Sequence, residues 1–133
     1  MEIGVVIPAF NAERYLARTI ESTLAQTLRP HRVVVVDDGS NDGTARVAEE
    51  FSGSVTCFRR PNRGVSAARN YGAREAGTEW LAFLDADDVW LPSKLERQRE
   101  ALADGQTAAC FTAIRLVDDS AGLIRDVGTK GMQ

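Results

Sequence analysis

Three carboxylates fall close together at Asp85, Asp87 and Asp88, directly after the apolar run Trp80-Leu81-Ala82-Phe83-Leu84. Like charges at this spacing repel one another, so they cannot all stay ionised at low cost without a cation. Hard oxygen donors of this kind suit Mg²⁺ or Mn²⁺, with the remaining coordination positions left to water and substrate phosphate. The alternative is an acidic loop that caps the following helix, whose positive end favours carboxylates. The cluster's place after a strand favours the metal.

Two further segments carry chemistry. Within Asp37-Asp38-Gly39-Ser40-Asn41-Asp42-Gly43, the spacing of Asp38, Ser40, Asp42, Gly43 and Glu49 approaches a calcium-loop pattern. That pattern needs a helix before it, whereas a valine run enters here. The segment reads instead as a strand-to-helix turn. Its glycines supply freedom, Ser40 or Asn41 caps the next helix, and an aspartate stays free to accept from a ligand. The second segment, Arg59-Arg60-Pro61-Asn62-Arg63-Gly64-Val65-Ser66-Ala67-Ala68-Arg69-Asn70, brings positive charge. Gly64 lets the backbone come close, and Arg63 or Arg69 could meet a diphosphate at the helix N-terminus. Arg69 could equally brace one of the aspartates, and the two roles are compatible. Neither GxxxxGK[ST] nor GxGxxG occurs, so a P-loop and a dinucleotide fold are unsupported. His31 sits at a helix-to-strand junction and is assigned no role.

The elements that must hold these residues follow from periodicity. Apolar runs at 3–7, 32–36, 54–58 and 80–84 read as strands, and Val33 to Val36 are too apolar for a one-sided sheet. Helical spacing appears over 13–26 (Leu16, Ile20, Leu24) and 44–51 (Val47, Ala48, Phe51), and over 65–76 with Val65, Ala68, Gly72 and Ala76 on its packing face. Pro92 opens a further helix at the favoured first position. A fifth strand is predicted over 106–117, with a turn at 118–122 and Leu123-Ile124 closing a C-terminal β-hairpin. Such alternation predicts an α/β fold: a Rossmann-like, mostly parallel sheet between helical layers, α/β/α, with right-handed crossovers. Ligands of such sheets bind beyond the carboxyl ends of the strands. The chemistry-bearing loops follow the first four strands, so they share one edge.

Composition sets outer bounds. The chain has 133 residues, 44% hydrophobic and 26% charged, with a net charge of −3. That is one domain's worth of ordinary globular sequence with no general attraction for nucleic acid. Fourteen of the sixteen basic residues are arginine, the side chain suited to bidentate phosphate contact. Cys57 and Cys110 fit no metal or redox motif and read as free thiols in a reducing compartment. No secretory signal and no run of about 18 apolar residues is present, so a cytoplasmic location is expected.

Four segments together resemble the family 2 glycosyltransferases of GT-A fold: Val-Val-Ile-Pro-Ala-Phe-Asn at 5–11, Val-Val-Asp-Asp-Gly-Ser-Asn-Asp-Gly-Thr at 35–44, Gly-Val-Ser-Ala-Ala-Arg-Asn at 64–70 and Phe-Leu-Asp-Ala-Asp-Asp at 83–88. The resemblance implies a GT-A-type sheet and a nucleotide-sugar donor, commonly a UDP-sugar. It implies that Pro8, Ala9 and Phe10 line the base pocket, that Glu13 lies near the ribose and that Asp38 bonds the base. Asp85 and Asp87 would form a DxD pair for ribose and metal, with Asp88 able to substitute as ligand. Asn11, Gly39, Ser40, Arg63, Arg69, Asn70 and Ala86 complete the expected donor site. The metal, Mg²⁺ or Mn²⁺, would act as a Lewis acid on the diphosphate. The reaction would invert the anomeric carbon and pass the sugar to a saccharide or lipid-linked acceptor hydroxyl, in a full-length enzyme peripheral to the membrane.

In that family the catalytic base follows the DxD loop, in the half that also binds acceptor. Asp118, Asp119 and Asp126 lie in a turn and near the tail, so the base is expected beyond Gln133. The fold is therefore expected to be truncated: a donor-binding domain over 1–127, then a loose tail over 128–133. Such a piece would bind donor without transferring sugar, and its open sheet edge would favour homo-oligomers. Three other readings compete, of which a nucleotidyltransferase would need a glycine-rich, basic loop after its first strand, and Pro8-Ala9-Phe10-Asn11 stands there instead. A regulatory module could sense a nucleotide-sugar without catalysis. A phosphoacceptor receiver domain would need its acid pair after the first strand and a lysine after the fifth, and Lys94 and Lys130 stand elsewhere.

Overall fold

A computed structural model of the chain describes residues 1–118, 120 and 122–127; Asp119 and the tail expected over 128–133 lie outside the described residues. The structure divides into two compact units, Met1–Arg97 and Gln98–Gln133.

The first unit is built on β1 (Ile3–Ala9), β2 (Arg32–Asp37), β3 (Thr56–Arg59) and β4 (Trp80–Phe83), paired in parallel in the order β3-β2-β1-β4. The helices are α1 (Leu16–Leu24), α2 (Thr44–Glu49), α3 (Val65–Ala76) and the start of α4 (Lys94–Ala101). The α/β reading with a parallel sheet holds. The central strands are apolar on both faces because both faces are covered. Ile3, Val5, Ile7, Val33 and Val35 pack with Leu16, Ile20, Val47, Ala48 and Leu95, whereas Val6, Val34 and Val36 pack with Ala68 and Ala76 of α3. A strand turns alternate residues to opposite faces, so consecutive valines feed two cores.

Close packing of α3 depends on Gly72. A Cβ there would lie 2.4 Å from Val6 Cγ1, closer than carbon atoms can approach, and a tight 3.1 Å from Val36 Cγ2. Val65, expected on the same packing face, is 49% exposed instead. It occupies the first turn of the helix, beyond the end of the strands beneath.

Strand order reverses at β1. The chain adds β2 and β3 on one side and then crosses to place β4 on the other. β4 stops early: its register with β1 ends at Val6↔Phe83, followed by one bond from Leu84 N to Val6 O (3.1 Å), while β1 continues along β2 to Ala9↔Asp37. Pro8 sits in the overhang. Glu2 and Val6 turn their carbonyls toward β4, and Pro8, of the same parity, would turn an N–H that way if it had one. Proline removes the donor where no strand can accept it. A crevice results at the switch point.

The second unit contains β5 (Ile114–Val117) and β6 (Leu123–Val127), an antiparallel pair. The C-terminal hairpin is present, but its first strand covers only the last part of the predicted run. Residues 106–113 carry no strand; Asp104 instead accepts the backbone N–H groups of Gln106 and Thr107 and the hydroxyl of Thr107, which favours a turn. Among the described residues, no helix is long and apolar enough to cross a membrane.

Candidate functional site

The switch-point crevice is a cavity of about 450 Å³ lined by Pro8, Phe10, Asn11, Ala12, Tyr15, Val65, Arg69, Asp85, Ala86 and Asp87. Seven of the residues expected in the donor site meet there: Pro8, Phe10, Asn11, Arg69, Asp85, Ala86 and Asp87. The others do not line it, and each has a physical reason. Ala9 alternates inward and is 2% exposed within the core. Glu13 pairs with Arg46 at 3.3 Å. Arg63 and Asn70 are exposed outside the cavity. Asp88 turns back, its N–H donating to Asp85 O at 3.1 Å.

The loop after β2 is a brace. Asp37 is fully buried; its Oδ1 accepts Ser40 N at 3.0 Å, and its Oδ2 has no hydrogen-bond donor among the described residues and faces Arg59 Nε at 3.7 Å. Asp38 accepts the N–H of Arg63 on Oδ1 (2.9 Å) and of Gly64 on Oδ2 (3.0 Å). It thereby holds the entry to α3. Gly39 has φ +79°, and a Cβ there would lie 2.8 Å from Asn62 N, so only glycine lets the two loops meet. Gly43, not Ser40 or Asn41, takes the N-cap place of α2, and Asp42 before it accepts Thr44 N at 3.0 Å and the Thr44 hydroxyl. That hydroxyl bond, with the backbone bonds of Thr44 and Glu13, holds the Asp42 carboxyl below its ordinary range.

This brace reaches the cavity wall. Asn11 takes the left-handed conformation with φ 48°, which asparagine tolerates better than most residues. Its N–H donates to Ser40 Oγ at 2.9 Å and its Oδ1 accepts Asn41 N at 2.9 Å. Ala12 N donates to Thr44 Oγ1 at 2.9 Å.

The loop after β4 is arranged differently. Leu84 and Ala86 are buried while Asp85, Asp87 and Asp88 are exposed, so the strand's alternation runs on past its last ladder bond. Asp85 Oδ1 accepts from Arg69 Nη2 at 2.7 Å, the brace anticipated for that arginine. Although Asp88 is exposed, its carboxyl is partly screened from water, and that desolvation, with the charges of Asp87 and Asp85, pushes it above its ordinary value. Among the described residues, no three His, Cys, Asp or Glu side chains converge as a closed metal cage. The carboxylates present fit a different kind of site. Mg²⁺ and Mn²⁺ are commonly held by one or two carboxylates, with water and substrate phosphates completing the shell. Exposed aspartates beside an arginine, opening on a cavity, suit that arrangement.

Three polar side chains of α1, with Gln26 just beyond its end, form a further group that no motif marks. Thr19, Ser22, Thr23 and Gln26 are buried. Thr19 Oγ1 lies 2.9 Å from Ala86 O and 2.8 Å from Asp88 O, Ser22 Oγ accepts Trp90 N at 3.2 Å, and Gln26 bonds Leu91 O (2.8 Å) and Leu95 N (3.0 Å). Their spacing of three, four and seven residues was the available signal: a polar stripe beside the apolar one.

Comparison with known proteins adds the following. A family model described as glycosyl transferase family 2 matches residues 4–129. An uncharacterized glycosyltransferase of Nostoc sp. is 36% identical over 135 aligned positions, covering 98% of this chain and 42% of its own length. A mannosyltransferase from Pyrobaculum calidifontis, solved with GDP-Man and Mn²⁺, superposes with a TM-score of 0.75 at 25% identity, over 84% of this chain and 35% of its own. S. aureus TarS in complex with UDP-GlcNAc superposes with a TM-score of 0.70 at 23% identity, over 88% of this chain and 40% of its own, a likeness of fold. The chain thus spans less than half the length of these relatives.

Proposed function

The chain belongs to glycosyl transferase family 2, and from that premise we propose that it forms the donor-binding part of a glycosyltransferase, holding a nucleoside diphosphate sugar at the crevice between β1 and β4. The observation that carries this reading is the crevice itself. The strand order reverses there, and it is lined by Arg69, Asp85 and Asp87 together with the apolar Pro8, Phe10 and Val65. The apolar walls suit a base and ribose, while the charged rim suits a diphosphate.

Asp85 and Asp87 would hold Mg²⁺ or Mn²⁺, with Asp88 beside them. The metal, when bound, would neutralise the diphosphate leaving group. Arg69 is fixed by Asp85 yet keeps further guanidinium donors for a phosphate oxygen. Asp38 retains lone pairs beyond its two amide bonds, and we assign it the base, with the Arg63–Gly64 backbone as its support. The neighbours solved with UDP-GlcNAc and with GDP-Man support a nucleotide-sugar donor, and we take a UDP-sugar as the first choice. Inverting transfer to a saccharide or lipid-linked hydroxyl is the reaction we propose for the whole enzyme. We do not assign Asp118 as the catalytic base: its Oδ1 accepts Ser120 N and Gly122 N within the hairpin turn, a structural role. Family membership sets aside the receiver-domain alternative.

Calorimetric titration with UDP, with and without Mn²⁺, tests the site. Binding that strengthens with Mn²⁺ and loses about tenfold or more in affinity in Asp87→Ala is expected, a difference of about 1.4 kcal/mol. Binding that needs neither Mn²⁺ nor Asp87 would overturn the assignment.

A further inference from the structure

We propose that Thr19, on the buried face of α1, is a positioning residue that sets the metal-binding competence of the Asp85–Asp88 loop. The inference rests on the donor-site reading and goes beyond it, since Thr19 does not line the cavity and its hydroxyl meets only backbone carbonyls.

Thr19 is fully buried, and its single hydroxyl lies within hydrogen-bond distance of two carbonyls of the loop, Ala86 O at 2.9 Å and Asp88 O at 2.8 Å. The carbonyl of Tyr15 in its own helix is farther, at 3.3 Å. A mid-helix threonine ordinarily bonds back to its own helix, so this hydroxyl is diverted to the loop. The two loop carbonyls bracket Asp87, and Asp85 stands one residue before the first.

No ladder bond holds this stretch, because β4 ends at Phe83. The turn has one internal backbone bond, Asp88 N to Asp85 O. Three carboxylates within four residues repel one another, which by itself would drive the loop apart. Against that repulsion stand the buried side chains of Leu84 and Ala86 and the Thr19 hydroxyl beneath. One hydroxyl proton shared between the carbonyls on either side of Asp87 restrains its backbone orientation, and with it the direction in which the carboxylate leaves the chain. A metal shared with a diphosphate tolerates little error in that direction, since small misplacements of ligands weaken coordination steeply. Ser22 and Gln26 continue the same clamp toward α4, but they hold residues beyond the carboxylates.

Thr19→Val keeps the shape and removes the hydroxyl, whereas Thr19→Ser keeps the hydroxyl and removes a methyl group. Two readouts on the 133-residue chain separate the possibilities. Hydrogen–deuterium exchange of the peptide spanning 85–91 is expected to rise about fivefold or more in Thr19→Val and to stay near wild type in Thr19→Ser. The affinity for UDP with Mn²⁺ is expected to fall about tenfold in Thr19→Val, with metal-free affinity changing less than about twofold and Thr19→Ser restoring the wild-type value. Unchanged exchange in Thr19→Val overturns the proposal whatever the binding shows. Equal losses with and without Mn²⁺, or equal losses in both variants, overturn it as well, since they reduce Thr19 to packing. If exchange follows the hydroxyl while the wild-type chain shows no Mn²⁺-dependent binding of UDP, the clamp is real but its function in metal binding is refuted, and the donor-site reading fails with it.

Discussion

The segments 37–43, at the end of β2, and 85–88, after β4, hold three aspartates each and share one edge of the sheet, yet they use their carboxylates in opposite ways. In the first, Asp37, Asp38 and Asp42 all accept backbone N–H groups, from Ser40, from Arg63 and Gly64, and from Thr44. Two of the three carboxylates are buried. In the second, Asp85, Asp87 and Asp88 are exposed and repel one another, and the loop is held from below through its carbonyls rather than through its carboxylates. An acidic segment whose oxygens are taken up by backbone N–H groups is first of all scaffold, with only the remaining lone pairs of Asp38 left for a ligand. One whose oxygens face a cavity while its backbone is anchored elsewhere is free to bind a ligand.

Substitutions can break this contrast. Asp38→Ala is expected to have the largest effect on folding. It strips two backbone N–H groups of a charged acceptor, a loss of about 2–4 kcal/mol in urea denaturation. Ser40→Ala frees Asn11 N and should cost about 1 kcal/mol by the same measurement, with a loosened cavity wall. Asp85→Asn removes a half-exposed pair with Arg69 and should change stability by less than about 1 kcal/mol. If Asp85→Asn proved as damaging to folding as Asp38→Ala, the distinction between the two loops would collapse.

Acid sharpens the same contrast. The Asp42 carboxyl is held below its ordinary value, chiefly by the Thr44 hydroxyl. A depressed folded-state pKa contributes stability that is fully present above the unfolded value and is lost as pH falls through the folded one. The stability difference between wild type and Asp42→Asn should therefore shrink only below the ordinary carboxylate range. A difference that instead vanished near neutrality would show that Asp42 does not hold the start of α2 through its charged form.

Much of this was legible in the sequence. Four valines in a row required a strand covered on both faces, and the four strand-end motifs required a shared edge. The family followed from those motifs in order. What could not be read was which carboxylates the fold consumes. Asp38 meets amides 25 and 26 residues away, and Thr19 meets carbonyls 67 and 69 residues away, pairings that only the packed structure creates. Val65 fits the apolar period of α3 but lies in its exposed first turn, where periodicity says nothing about what is overhead. The predicted fifth strand ran too long because Thr107 to Ala113 has strand-like composition, while Asp104 draws the chain before it into a turn.

The most direct test of the account is the Mn²⁺ dependence of UDP binding in Asp87→Ala set beside Asp42→Ala, one substitution in each acidic loop. The account predicts that Asp87→Ala folds with wild-type stability and loses the Mn²⁺-dependent part of the affinity. Asp42→Ala, by contrast, should be less stable and keep that part within about threefold. Loss of the Mn²⁺ effect in Asp42→Ala with its retention in Asp87→Ala would contradict it.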